Sequence, residues 1–142
     1  MKIVVDTNVF VSSFLSPTGS PRQVIDLWKK GLVTLCLCAE TLEEHLLVLA
    51  RLGLQGEPEM DELLALIRRG INIRFVAIEG TLRVVVDDPD DDVFVECALT
   101  AGAKYIVSGC RHLRKVGSHG DVTIVAPAEF LRLLAGFRAP HA

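Results

Sequence analysis

No apolar run in the 142 residues approaches the roughly 18 needed to cross a bilayer. The first residues also lack the basic, apolar and small-residue succession of a secretory leader. A cytoplasmic protein with no membrane partner is therefore expected. Cysteines number four and none forms a CxxC pair, which argues against a zinc ribbon or a disulfide framework. Cys36, Cys38 and Cys97 read instead as small buried hydrophobes. Basic residues are not in excess: the formal charge is −3, so nothing attracts nucleic acid wholesale. Aromatics are few and not interleaved with the basic residues, which gives base stacking little support. There is no low-complexity tract, internal repeat or linker.

What is present is a hydrophobic half, enough to bury a core without staples. One domain over residues 1–137 is expected, with 138–142 as a loose C-terminal tail. Strand and helix patterns alternate along the chain. Ile3-Val4-Val5 reads as a short buried strand, followed by an apolar segment from Thr7 to Leu15. Ser20-Pro21 starts a helix, with serine as its cap. A strand over Leu32–Leu37 precedes a helix over Ala39–Leu52, whose Leu42, Leu46, Leu49 and Ala50 form a buried stripe. Next come a helix over Glu59–Arg69 and a strand within Ile71–Ile78. An extended piece at Leu82–Val86 leads to a helix over Val93–Ala101. Lys104–Val107 is a strand, Arg111–Lys115 a basic segment, Gly117–Gly120 a flexible turn and Val122–Val125 the last strand. A final helix starts at Pro127. This alternation predicts an α/β fold of three layers, α/β/α, around a parallel sheet of four to five strands.

Acids fall at the junctions of that pattern. Asp6 ends the first strand, where an open α/β sheet binds its ligands; capping the following helix is the competing role. Either Glu43 or Glu44 can join it, since residues 46–50 are apolar all round and periodicity does not choose. The richest stretch is Asp87-Asp88-Pro89-Asp90-Asp91-Asp92, some of which cap the helix they precede. Asp91 continues the stripe of Val95, Ala98 and Gly102, whereas Asp92 aligns with Glu96 on a more polar side. Three carboxylates gathered in one crevice need a cation, and hard oxygen ligands suit Mg²⁺ or Mn²⁺. Such ions promote phosphodiester hydrolysis, so a metal-dependent nuclease is a candidate class.

Val4-Val5-Asp6-Thr7-Asn8-Val9-Phe10-Val11-Ser12, Leu42-Glu43-Glu44, Asp88-Pro89-Asp90-Asp91-Asp92-Val93-Phe94 and Val125-Ala126-Pro127-Ala128-Glu129-Phe130-Leu131 together resemble the PIN domain family. The nearest likeness is the branch of toxin components of toxin–antitoxin pairs, related to VapC. The resemblance implies a Mg²⁺- or Mn²⁺-dependent endoribonuclease acting on RNA, paired with a small antitoxin and forming a homodimer. It implies that Asp6, Glu44 and Asp91 are the catalytic acids and metal ligands, with Asp88 and Asp92 as outer candidates. Asn8 and Ser108 would support the site.

One departure stands out. Where relatives read Thr-Gly-Asp-Arg-Asp, this chain reads Ser108-Gly109-Cys110-Arg111-His112. A neutral thiol is a poor ligand for a hard ion, and Cys110 with His112 suits a softer metal instead. The substitution motivates a second reading, a catalytically inactive PIN-like domain that binds RNA or a partner protein. Arg111, Arg114 and Lys115 are either a solvated face or contacts to RNA phosphates. A flavodoxin- or receiver-like fold fits less well, since no glycine-rich loop follows the first strand.

Overall fold

A computed structural model describes residues 1–85 and 88–138, the last two by backbone alone. Its strands are β1 (Lys2–Val5), β2 (Thr34–Leu37), β3 (Ile73–Phe75), β4 (Tyr105–Val107), β5 (Ser118–His119) and β6 (Val122–Val125). They form one sheet in the order β3-β2-β1-β4-β6-β5. All neighbours run parallel except β5, which pairs antiparallel with β6. The three-layer fold expected from the sequence is present, with six strands rather than four or five. The additional strand lies in Gly117–Gly120, read above as a flexible turn. Gly117 and Gly120 both take positive φ and turn Ser118-His119 back onto β6.

Alternation along each strand builds two cores. Ile3, Val5, Leu35, Leu37, Tyr105, Val107 and Val125 face one side. There they meet Phe10 of α1 (Thr7–Leu15), Trp28 of α2 (Ser20–Lys29), Leu63 of α4 (Pro58–Arg68) and Phe130 of α7 (Pro127–Arg138). Val4, Cys36, Ile106 and Ile124 face the other, against α5 (Asp92–Ala101) and α6 (Arg111–Val116). Helix α5 presents Cys97, Ala98 and Ala101, side chains short enough to bring it close to the sheet. It ends on Gly102 at φ +70, and the Lys2 ammonium caps it by donating to the Ala101 carbonyl at 2.7 Å.

Two local expectations change. Gly19 rather than Ser20 holds the N-cap of α2, because the helix starts one residue earlier around Pro21, and no side chain caps it. On α3 (Ala39–Arg51) the buried residues are Thr41, His45 and Leu49, so of the expected stripe of Leu42, Leu46, Leu49 and Ala50 Leu49 alone is buried. Leu42 and Leu46 are half-buried, Ala50 is exposed, and these three line a groove with Phe75. A helix apolar all round gives no sequence signal of which face turns inward.

Of the extended piece expected at Leu82–Val86, residues 82–85 are described and take no strand. Val86 lies outside the described residues, as do Asp87 and, apart from the backbone of Arg138, the tail expected at 138–142. Among the described residues no helix is long and apolar enough to cross a membrane.

Candidate metal centre at the carboxyl ends of the strands

Between β1 and β4 the sheet order changes direction: the chain leaves β1 for β2 on one side, and later elements build outward from β4 on the other. Crevices at such a switch point, beyond the carboxyl ends of the strands, are where open α/β sheets bind ligands. Asp6 follows β1 there and Ser108 follows β4. Both are buried. The Asp6 N–H donates to the Val107 carbonyl at 3.0 Å and the Ser108 hydroxyl donates to Asp6 Oδ2 at 2.8 Å. By backbone Asp6 is the N-cap of α1, but its side chain makes no capping hydrogen bond.

Glu44 enters from α3. That helix starts with a reciprocal cap, in which the Cys38 N–H donates to Thr41 Oγ1 at 3.1 Å. Of the two glutamates left open by periodicity, Glu44 is half-buried and Glu43 is exposed. The Thr7 hydroxyl donates to Glu44 Oε2 at 3.0 Å and lies 2.7 Å from His45 Nδ1. A hydroxyl has a single proton; with that proton given to Glu44, the imidazole must carry its own on Nδ1. The ring packs near Phe10 and Phe94, and Nε2 has no partner among the described residues. Burial holds the His45 pKa down to about 3, so the ring is neutral under Thr7.

The acidic turn supplies the third side. Pro89–Asp91 forms a short 3-10 turn capped by Asp88, whose Oδ1 accepts from the Asp90 N–H at 3.1 Å. Asp91 is 8% exposed, in keeping with its stripe, and Asp90 is exposed. Asp92 is also buried, which corrects its expected place on a polar side. Its Oδ1 accepts from the N–H groups of Val84 and Val85, both at 2.7 Å. One turn on, the Glu96 carboxylate accepts from Glu79, Gly80 and Leu82 at 2.8, 2.8 and 3.0 Å. Two acids of α5 thus satisfy the backbone of a segment that has no sheet partner, and so hold the approach to the acidic turn. Neither Thr7 with His45 nor this clamp was singled out from the sequence. Thr7 lies between the two singled-out polar residues Asp6 and Asn8, and Asp92 and Glu96 share the i,i+4 spacing that the clamp uses.

The electrostatics favour a cation. Burial, with the charges of Asp88, Asp6 and Glu44 adding to it, raises the Asp91 pKa to about 6. Asp6 and Glu44 are likewise raised, chiefly by burial. The hydrogen bond from Ser108 partly offsets the rise at Asp6, and that from Thr7 does so at Glu44. The ion pairs Arg22–Asp26, Arg22–Glu59 and Lys29–Glu62 lie elsewhere. Buried carboxylates that repel one another make a donor set that fits a hard divalent ion. Asp6, Glu44 and Asp91 do not bring their ligand atoms within 4.8 Å of one another. Among the described residues, the group of ligand atoms within 4.8 Å of one another is that of Asp91, Cys110 and His112. The Cys110 thiol donates to Asp91 Oδ2 at 3.5 Å, and its N–H donates to Ser108 Oγ at 2.9 Å. Burial pushes this thiol up, with Asp91 and Asp6 adding to the rise.

Asn8, exposed on α1, lines a neighbouring cleft with Val9, Ser12, Pro21, Gly109 and Pro127. Arg111, Arg114 and Lys115 are exposed on α6, which begins right after Cys110. No curated protein and no solved structure matches the chain. A sequence model of the PIN domain matches residues 2–112, which carry Asp6, Glu44, Asp91 and the Ser108–His112 run. With more than half its length matched, and with acids gathered at the switch point of a mostly parallel sheet, the chain belongs to the PIN domain family.

Proposed function

We propose that the chain is an endoribonuclease in which Asp6, Glu44 and Asp91 hold Mg²⁺ or Mn²⁺. The observation that carries this reading is the set of carboxylates at the switch point, Asp6 and Asp91 buried and Glu44 half-buried, whose charges repel one another. PIN domains are in general nucleases that use divalent ions. An ion bound there supplies Lewis-acid charge to a scissile phosphate and acidifies a water. The chain's own part is positioning: Ser108 orients Asp6, Thr7 orients Glu44, and Asp88 braces the turn that presents Asp91. Arg111, Arg114 and Lys115 on exposed α6 suit the phosphates of an RNA strand, a contact without sequence preference.

Purified protein is expected to cleave RNA with Mn²⁺ or Mg²⁺, and Asp6→Asn to abolish cleavage. Activity that survives this substitution rejects the assignment. Cys110 and His112, standing where relatives carry acids, favour a second reading: a domain that binds RNA or a partner without cutting it. Calorimetry separates the two, since a chain that takes up no Mn²⁺ at millimolar concentration is not the nuclease.

The toxin role, with a small antitoxin and a homodimer, belongs to the same proposal, as does a cytoplasmic location. The groove of Leu42, Leu46, Leu47 and Phe75, the last 57% exposed, suits an apolar partner helix. Sedimentation of the chain alone and with its candidate antitoxin tests it.

A further inference from the structure

Asp91, Cys110 and His112 bring a carboxylate oxygen, a sulfur and an imidazole nitrogen within 4.8 Å of one another. We propose that these three side chains bind a thiophilic dication of the zinc class, leaving a fourth position open to solvent. Two of the three donors are not oxygen, which sets this site apart from the all-carboxylate one. Sulfur and imidazole select borderline ions such as Zn²⁺ and Co²⁺ and discriminate against Mg²⁺. Three protein ligands with one open position is also the arrangement of zinc sites that do chemistry rather than brace a fold.

The geometry is close to what the ion requires. Bonds of about 2.0–2.3 Å in a tetrahedron put ligand atoms about 3.5 Å apart. Cys110 Sγ already lies 3.5 Å from Asp91 Oδ2. His112, half-buried in the first turn of α6, already has a ring nitrogen within 4.8 Å of both other donors. Cys110 itself is fixed: its N–H donates to Ser108 Oγ at 2.9 Å and its carbonyl accepts from the Arg114 N–H at 3.0 Å. Ser108 in turn donates to Asp6, an outer shell of the kind that orients metal ligands. On binding, the sulfur–metal bond replaces the S–H bond and the proton leaves to solvent. Asp91 is shared with the nuclease reading; the site stands on Cys110 and His112 and does not require that the chain cut RNA.

Co²⁺ is the probe, titrated into the metal-free full chain with absorption as the readout. The expected result is a thiolate-to-cobalt charge-transfer band in the near ultraviolet, with strong visible bands of a four-coordinate ion. These should saturate at one ion per chain and be displaced by Zn²⁺ but not by excess Mg²⁺. Cys110→Ser is expected to remove the charge-transfer band, and His112→Ala to weaken binding by more than about tenfold. Glu44→Gln should leave the band in place, while circular dichroism checks that each variant folds. Absence of the band in the native chain overturns the proposal. So does its persistence in Cys110→Ser, which would move the ion to Cys36, Cys38 or Cys97, or its loss in a folded Glu44→Gln, which would make the acid cluster part of the ion's site. RNA cleavage is a separate measurement, and its failure leaves these bands untouched.

Discussion

Asp91 and His45 are buried titratable groups whose pKa values move in opposite senses. Asp91 is raised from 3.8 to about 6, so the folded state binds the proton more tightly than the unfolded one does. Its contribution to stability is present below pH 3.8 and is lost as pH rises to about 6, a loss on the order of 3 kcal/mol in the metal-free protein. Asp6 and Glu44 act in the same sense. His45 is lowered from 6.5 to about 3, so its contribution is present above pH 6.5 and is lost as pH falls. Denaturant melts at pH 5 and pH 7 should separate the two. With Asp91→Asn, metal-free protein should gain stability at pH 7 and fall off more steeply towards pH 5 than the native chain. With His45→Phe the trend should reverse, stability rising on acidification.

The inward direction of Asp91 could be read from its stripe with Val95 and Ala98. Glu44 could not be separated from Glu43, nor His45 seen to be buried, because α3 is apolar on several faces and a polar residue among leucines carries no sign of which way it points.

At the scale of elements, strand and helix identities followed from local patterns: Val122–Val125 forms as expected, and most other boundaries shift by one or two residues. What local pattern does not carry is the job of a polar side chain that serves a distant backbone. The Asp92–Glu96 clamp is of this kind, five N–H groups held by two carboxylates across a segment without sheet pairing. Asp92→Ala strands two N–H groups, one of them buried, and is expected to cost about 2 kcal/mol of stability. It should also weaken Mn²⁺ binding, although Asp92 Oδ1 is turned to the backbone, because the turn carrying Asp88 and Asp91 loses its support. Asp92→Asn keeps a carbonyl acceptor and should recover most of both. Unfolding curves and Mn²⁺ titrations of the two variants check this.

At the scale of the molecule, the three-layer arrangement was legible because strands and helices alternate, and alternation leaves few topologies. The order of strands was not, since pairing of β4 with β1 joins residues about a hundred positions apart. The family match stops at residue 112, yet the sheet does not. β6 pairs along β4, Ser108 donates its N–H to the Val125 carbonyl at 2.9 Å, and Phe130 of α7 packs in the same core as Trp28. A chain cut after His112 would keep Asp6, Glu44, Asp88, Asp91 and Asp92 and still lose the support of the candidate site. β4 would become a bare edge of Tyr105, Ile106 and Val107, the kind that recruits other strands, and Ser108 would no longer be anchored beneath Asp6. The shortened protein should sediment as aggregates. β6 and α7, which lie beyond the matched region and carry none of the candidate acids, are what hold the crevice between β1 and β4 in shape.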